Sequence, residues 1–209
     1  MTTKDKILST ALNLFNESGT VKISTNHIAD AMGISPGNLY YHYRNKEEII
    51  RKLWENMVEK IHVPFSKESE PAKAEKIVAF LFDFFNIMYE YRFFWLELAV
   101  LLGKDPDLKG KYITRSRSLL NLYKITVRNW KNTGFLVQNI SEKDLDQLVE
   151  NTWFLSQYWA LHTYIHEENL SRENIRNGAL RIIATIKPYL TADAVAELED
   201  ILSHLITFA

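Results

Sequence analysis

At 209 residues the chain has room for one large domain or for a small domain joined to a larger one, and 46% apolar content with 12% aromatic residues, five prolines and seven glycines excludes a largely disordered polymer. The absence of cysteine excludes disulfides and thiolate metal sites, no window approaches the roughly 20 apolar residues of a membrane span, and Met-Thr-Thr-Lys-Asp-Lys carries no apolar leader, so a cytoplasmic chain without a membrane partner is expected. The net charge of −1, with eight Lys and Arg against seven Asp and Glu in residues 1 to 60, excludes binding to phosphates by sheer positive charge, so any nucleic-acid contact rests on a few placed groups.

Ile7, Leu8, Ala11, Leu12 and Phe15 share one helical stripe, which Thr2 or Thr3 caps and Gly19 ends. A shorter helix follows from Ser24 or Thr25, buries Ile28, Ala29 and Met32, and stops at Gly33. Ser35 as N-cap, with Pro36 at the first helical position where a missing N–H costs nothing, opens a third helix of about two turns. Asn45-Lys46-Glu47-Glu48 has the form of a capping box with Asn in place of Ser or Thr, and it starts a helix to about His62. Two prolines and several polar residues from Val63 to Pro71 break the period, which divides the chain into domains of residues 1–62, including the connecting helix 45–62, and 72–209.

The helical pattern resumes at Ala72. Phe80 to Phe85 alternates locally like a strand, but it lies inside some twenty residues of helical period and is expected to be helical. After Lys104-Asp-Pro-Asp a long helix runs to about Asn132, stopped by Gly134, and Ser141-Glu-Lys-Asp144 opens another to about His166. Ser171 caps the next, which ends near Pro188, and a last helix follows Thr191. With no strand, repeat or low-complexity tract in this reading, the fold class is all-α.

The stretch Ile23 to Lys46 reads as helix, glycine turn, helix, then a capped third helix. Ala29 is small enough for two helices to cross closely, Gly33 supplies the backbone freedom for the turn, and Leu39 and Tyr43, four apart, face inward. That leaves Pro36, Gly37, Asn38, Tyr40, Tyr41 and His42 exposed on a helix narrow enough for a DNA major groove. Ile28-Ala29 through Gly33-Ile34-Ser35, then Gly37-Asn38-Leu39-Tyr40-Tyr41-His42-Tyr43 and Lys46-Glu47, strongly resembles the DNA-binding signature of TetR/AcrR-type regulators over about the first 55 residues. The resemblance implies a helix-turn-helix domain followed by a larger helical domain that binds a ligand and dimerises. It also implies that Thr25, Pro36, Gly37, Asn38, Tyr40, Tyr41 and His42 lie at the DNA surface with Lys46 on a phosphate. Asn26 and Ser35 are further candidates. Tyr and Thr hydroxyls donate to phosphate oxygens, and an Asn amide pairs with an adenine edge.

The segment from about 141 to 166 carries Leu145, Leu148, Val149 and Thr152 on one stripe and Trp153, Phe154, Tyr158, Leu161 and Ile165 on others, so it must be covered on nearly all sides. In the resembled family the last two main helices of each subunit form a four-helix dimer interface, which here implies a homodimer through about 141–166 and 171–188 on a palindromic operator. Nine aromatic residues fall between Phe80 and Trp95, more than plain packing readily absorbs. Phe84, Met88, Tyr91, Trp95, Tyr123, Trp130, Trp153 and Gln157 are the expected lining of an effector cavity. From Leu108 to Asn132 seven basic residues stand with no acid among them. They read either as a solvated face paired with acids such as Glu142, Asp144 and Asp146, or as a site where Arg115, Lys124 or Arg128 holds the anionic head of an amphipathic effector such as a fatty acid or acyl-CoA.

An enzyme or a ligand-independent DNA binder are the alternatives. The chain has no Gly-rich phosphate loop, no Gly-x-Ser-x-Gly elbow and no His-Glu-x-x-His, so no catalytic residue and no cofactor are expected. His162 and His166, four apart with Glu167 adjacent, present two metal ligands on one helix face but no third-ligand motif, so no metal site is expected. The resemblance adds the sign of regulation, repression, with release of the operator when the effector binds.

Overall fold

A computed structural model describes residues 2–61, 72–167 and 170–207. Among them the helices are α1 (Thr3–Ser18), α2 (Thr25–Met32), α3 (Pro36–His42), α4 (Lys46–Lys60), α5 (Ala74–Glu90), α6 (Arg92–Leu96), α7 (Leu98–Lys104), α8 (Pro106–Asn132), α9 (Glu142–His166), α10 (Arg172–Ile186) and α11 (Ala192–Thr207), with one 3-10 turn at Lys187–Tyr189. The β structure among the described residues is a single antiparallel bridge between Leu136 and Leu190. The all-α reading holds, and Phe80 to Phe85 lie within α5. The expected end at His62 and the boundary from Val63 to Pro71 lie outside the described residues.

The chain forms two compact units, Met1–Ile61 with Glu90–Tyr112, and His62–Tyr89 with Ile113–Ala209. Placing residues 90–112 with the N-terminal helices is a feature the sequence reading did not contain. Its physical basis is a shared core: Phe93, 2% exposed, stacks against Phe15 with ring centroids 5.4 Å apart. Around them Ile7, Ala11, Ile28, Ala29, Leu39, Ile49 and Leu53 are buried, each larger side chain contributing about 1.5–3 kcal/mol by leaving water.

Short helices need their ends satisfied, and the first four are each capped by a side chain. Thr2 accepts from the Asp5 N–H at 3.2 Å, Ser24 from that of His27 at 3.3 Å, Ser35 from that of Asn38 at 3.2 Å and Asn45 from that of Glu48 at 2.8 Å. The reciprocal bond of a capping box is present at α1, where Asp5 accepts from the Thr2 N–H at 2.8 Å; bonds from the Thr2 backbone and hydroxyl hold that carboxyl below its ordinary pKa. At α4 the reciprocal bond is displaced by one residue, since Glu48 accepts from the Arg44 N–H at 2.7 Å rather than from Asn45.

The helical run from Ala74 is interrupted at Tyr91 without a glycine or proline. The break is stabilised from α1: the Asn16 amide donates to the Glu90 carbonyl at 2.7 Å and accepts from the Phe93 N–H at 3.1 Å, satisfying two groups that an unbroken helix would have paired. The C-terminal unit is built differently. Phe85 and Met88 of α5 are fully buried, and Gly178 of α10 sits where a methyl group would fall well inside contact distance of the Phe85 and Trp159 rings. The Trp159 indole then donates to the Asn174 carbonyl at 3.1 Å, joining α9 to α10.

Candidate nucleic-acid interface

The turn between α2 and α3 is a Schellman motif. Gly33 is left-handed, its N–H reaches the Asp30 carbonyl at 3.0 Å, and the Ile34 N–H reaches back to Ala29 at 3.0 Å. A side chain at Gly33 would be strained by the backbone alone, since a φ of 65° suits glycine. The capped α3 then starts at once, with Leu39 and Tyr43 buried beneath it as expected and the Tyr43 phenol raised by burial and by the Asp5 and Glu48 carboxylates.

What remains outward is the face named from the sequence. Ser35, Pro36, Gly37 and Asn38 are exposed, as is Asn26; Tyr41 is 84% exposed and Tyr40 46%, while His42 and Thr25 are half-buried. Thr25 and Tyr40 are not independent: their hydroxyls lie 3.0 Å apart, so each fixes the other's rotamer and ties α2 to α3. Tyr41 stands edge-on to the His42 ring at 5.1 Å. Lys46 is placed otherwise than a simple surface cation. Its ammonium donates to the Thr20 carbonyl at 2.6 Å and to the Ile23 carbonyl at 3.0 Å, which leaves one N–H uncommitted.

Sequence reasoning missed Thr20, Asn16 and Glu97. The Thr20 N–H donates to a Glu97 carboxylate oxygen at 2.9 Å and the Thr20 hydroxyl donates to the other. The signal that was available is that Glu97 is the single charged residue from Phe93 to Leu102; an acid in an apolar run needs a partner. Asp105 has the same character: 7% exposed, it accepts from Arg51 at 2.8 Å and from the Asp107 and Leu108 N–H groups, each at 3.1 Å.

The expected effector residues fall in two sets. Tyr91 and Trp95 are buried in the N-terminal unit, where the Lys60 ammonium lies 5.3 Å from the Tyr91 ring centre and 2.5 Å from Glu90. The other nine belong to the C-terminal unit. Met88 and Trp130 are buried, the latter edge-on to Phe135 at 5.8 Å, and Phe84, Trp153 and Gln157 are half-buried. The Tyr123 hydroxyl lies 2.8 Å from that of Thr152, which itself donates to the Leu148 carbonyl at 2.7 Å, so Tyr123 is the donor. Burial pushes the Tyr123 phenol up to about 12. Of the three candidate head-group cations, Arg128 is held by Asp146 at 2.7 Å and Glu142 at 3.4 Å, and Lys124 by Glu150 at 3.5 Å. Arg115 differs: its Nε, like the Thr126 hydroxyl, is buried without a partner among the described residues.

Helix α9 carries two apolar faces. Leu145, Leu148, Val149, Thr152 and Ala160 are buried, while Phe154, Tyr158 and Ile165, at spacings of four and seven, are exposed by 64%, 47% and 65%. The first two stack at 4.6 Å. A groove of about 520 Å³ between α9 and α10 includes His162, His166, Asn177 and Arg181 in its lining. The two imidazoles lie 4.6 Å apart, and among the described residues no third ligand completes a metal site. No helix among them is long and apolar enough to cross a membrane.

Comparison with known proteins bears on both units. A family described as "Bacterial regulatory proteins, tetR family" matches residues 7–53, and one described as "TetR: Bacterial transcriptional repressor" matches residues 54–198. The chain is 27% identical over 173 residues to IcaR, a negative transcriptional regulator of the biofilm operon in Staphylococcus epidermidis, covering 81% of this chain and 91% of that one. It is 30% identical over 101 residues to the regulator QacR of Staphylococcus aureus, covering 48% of this chain and 53% of that one. A crystal structure of a TetR-family regulator from Marinobacter aquaeolei superposes with a TM-score of 0.85 at 29% identity, over 96% of this chain and 97% of that one.

Proposed function

Because the chain belongs to the TetR family of bacterial regulatory proteins, we propose that it is a cytoplasmic homodimeric repressor, released from a palindromic operator by a small apolar or amphipathic effector. DNA-binding transcription regulation, rather than catalysis, is the activity of the family. The observation that carries the reading is the outward face of α3: a helix of seven residues, fixed by a Schellman turn behind it and a Ser cap in front, with Leu39 spent on the core and Tyr41 fully presented. Thr25, Asn26, Ser35, Pro36, Gly37, Asn38, Tyr40, Tyr41 and His42 are the contact set, and Lys46 contributes its remaining N–H beside the positive end of α4.

The exposed stripe of Phe154, Tyr158 and Ile165 supports dimerisation through α9 and α10, since a contiguous apolar face of this kind marks an interface. The name of the Staphylococcus epidermidis relative, a negative regulator, supports repression. For the effector, Lys124 and Arg128 already neutralise acids of α9, so Arg115 is the remaining candidate for an anionic head group such as that of a fatty acid or acyl-CoA, with Met88, Tyr123 and Trp130 beside an apolar body. Effector binding then acts by changing the spacing of the two recognition helices through α4, so that they no longer meet successive major grooves.

A band-shift assay with duplex DNA from upstream of the chain's own gene tests the reading. Tyr41→Ala combined with Asn38→Ala removes two exposed contacts per subunit and weakens binding by about a thousandfold, each contact being worth about 1 kcal/mol and counted twice in a dimer. Unchanged affinity would overturn the assignment of α3 as the reading helix.

A further inference from the structure

Glu97 lies at the junction of α6 and α7, and its side chain caps neither helix. It turns instead to the loop between α1 and α2, where both oxygens are used: one accepts the Thr20 N–H at 2.9 Å and the other the Thr20 hydroxyl. Thr20 is 4% exposed, so those donors depend on Glu97 in place of water. On its other side the Thr20 carbonyl takes the Lys46 ammonium, which also takes Ile23. One buried residue, Thr20, thus stands between a carboxylate on its N–H and an ammonium on its carbonyl, and each charge strengthens the hydrogen bond on its side.

The turn is shaped around this arrangement. Gly19 has a φ of 77° and a ψ of 158°, a region that glycine alone adopts freely, and a β-carbon there would fall 2.5 Å from the nearer Glu97 oxygen. The clasped segment feeds directly into the reading head: Ile23 is buried, Ser24 caps α2, and Thr25 is bonded to Tyr40. We propose that Glu97 is a positioning residue for DNA binding, which sets α2 against the start of α4 through Thr20 and Lys46 and thereby fixes the Thr25–Tyr40 pair that faces DNA. The inference rests on the DNA-binding reading above and adds to it a residue, outside the helix-turn-helix, on which affinity depends.

A general loss of stability and a positioning role separate on two comparisons. Asn16 also links α1 to residues 90–93, but its amide bonds go to the Glu90 carbonyl and the Phe93 N–H and not to the Thr20 groups that Glu97 holds. Glu97→Ala is expected to weaken binding of the upstream DNA by about tenfold or more. Asn16→Ala, compared at equal thermal stability, weakens it less than about threefold. Glu97→Gln keeps an oxygen for the Thr20 N–H and offers an amide to the Thr20 oxygen, and it restores affinity to within about threefold of the parent chain. In parallel, hydrogen exchange in the free protein is expected to speed up at residues 20–27 in Glu97→Ala and to stay unchanged across α3. Equal loss of affinity in Glu97→Ala and Asn16→Ala, no rescue by Gln, or unaltered exchange at residues 20–27 each overturns the proposal. A parent chain that retards no DNA overturns the DNA-binding reading instead, while the exchange measurement still decides whether Glu97 holds the turn.

Discussion

Both units turn polar side chains onto the backbone, but the N-terminal unit sets two opposite charges on one loop residue where the C-terminal unit pairs charges between helices. In the N-terminal unit Thr2, Ser24, Ser35 and Asn45 cap helices, Asn16 closes the break at Tyr91, and Glu97 and Lys46 grip the single loop residue Thr20. In the C-terminal unit Ser141 and Ser171 likewise cap helices, and side-chain pairs such as Arg128 with Asp146 at 2.7 Å and Lys187 with Glu199 at 2.6 Å add links between elements on partly exposed surfaces. A small domain of short helices has little apolar area per helix and needs its ends fixed; long helices gain most of their stability from the faces they bury. The first arrangement gives one rigid presentation of α3. The second leaves most of the interhelical packing of the C-terminal unit to apolar faces such as that of Leu145, Leu148 and Val149.

The sharpest break in this comparison is Leu39→Ala. Leu39 is fully buried under the reading helix, and deleting its methyl groups leaves a cavity that costs about 2–5 kcal/mol. The loss is expected to unfold the N-terminal unit first, so that DNA retention fails while the C-terminal unit keeps its helical signal in a thermal melt followed by circular dichroism. A single cooperative transition that drops as a whole would show that the units do not melt separately.

Gly178→Ala is the counterpart in the C-terminal unit. The added methyl meets the fully buried Phe85 and the half-buried Trp159, and overpacking of this kind costs about 1–3 kcal/mol. A chain of this size then melts lower by about 2–4 °C for each kcal/mol. Here the expected order is reversed, with the C-terminal unit failing while a short N-terminal unit still retards DNA weakly. An unchanged melting temperature would mean that Phe85 and Trp159 move aside at no cost.

The sequence separation of each interaction decides how legible it is in the chain. Caps, a glycine turn and a proline at the first helical position are local signals, so the borders of α1 to α3 and the outward face of α3 were legible residue by residue. Ser141 and Ser171 marked α9 and α10 for the same reason. The break at Tyr91 was not legible, because its cause is Asn16, 75 residues earlier, and no local breaker marks it. Glu97 was overlooked in an apolar run whose partner lies in the first loop. Lys46 reads from the sequence as a cation for a phosphate, yet its two carbonyl partners lie more than 20 residues away in the sequence and are visible only once α4 is placed. The aromatic run from Phe80 to Trp95 read as one cluster, whereas the chain divides it between two cores at residue 90.

The smallest expected effect tests whether the basic helix serves structure or recognition. Arg128 is 41% exposed and its partner Asp146 is 44% exposed, so water hydrates either one when the other is removed, and Arg128→Ala is expected to cost within about 1 kcal/mol. That cost should shrink further in about 0.5 M salt, where exposed pairs are screened. Arg51→Ala makes the useful control, because the Asp105 side chain is buried and would keep its charge without its cation. The same Arg128 variant, with Arg115→Gln beside it, separates the two uses of positive charge. If α8 pairs its cations with α9, dodecanoate binding measured by calorimetry survives Arg128→Ala and is lost in Arg115→Gln. Loss in Arg128→Ala with retention in Arg115→Gln would move the head-group site to the outer face of α8 and reverse the division of labour inferred for these cations.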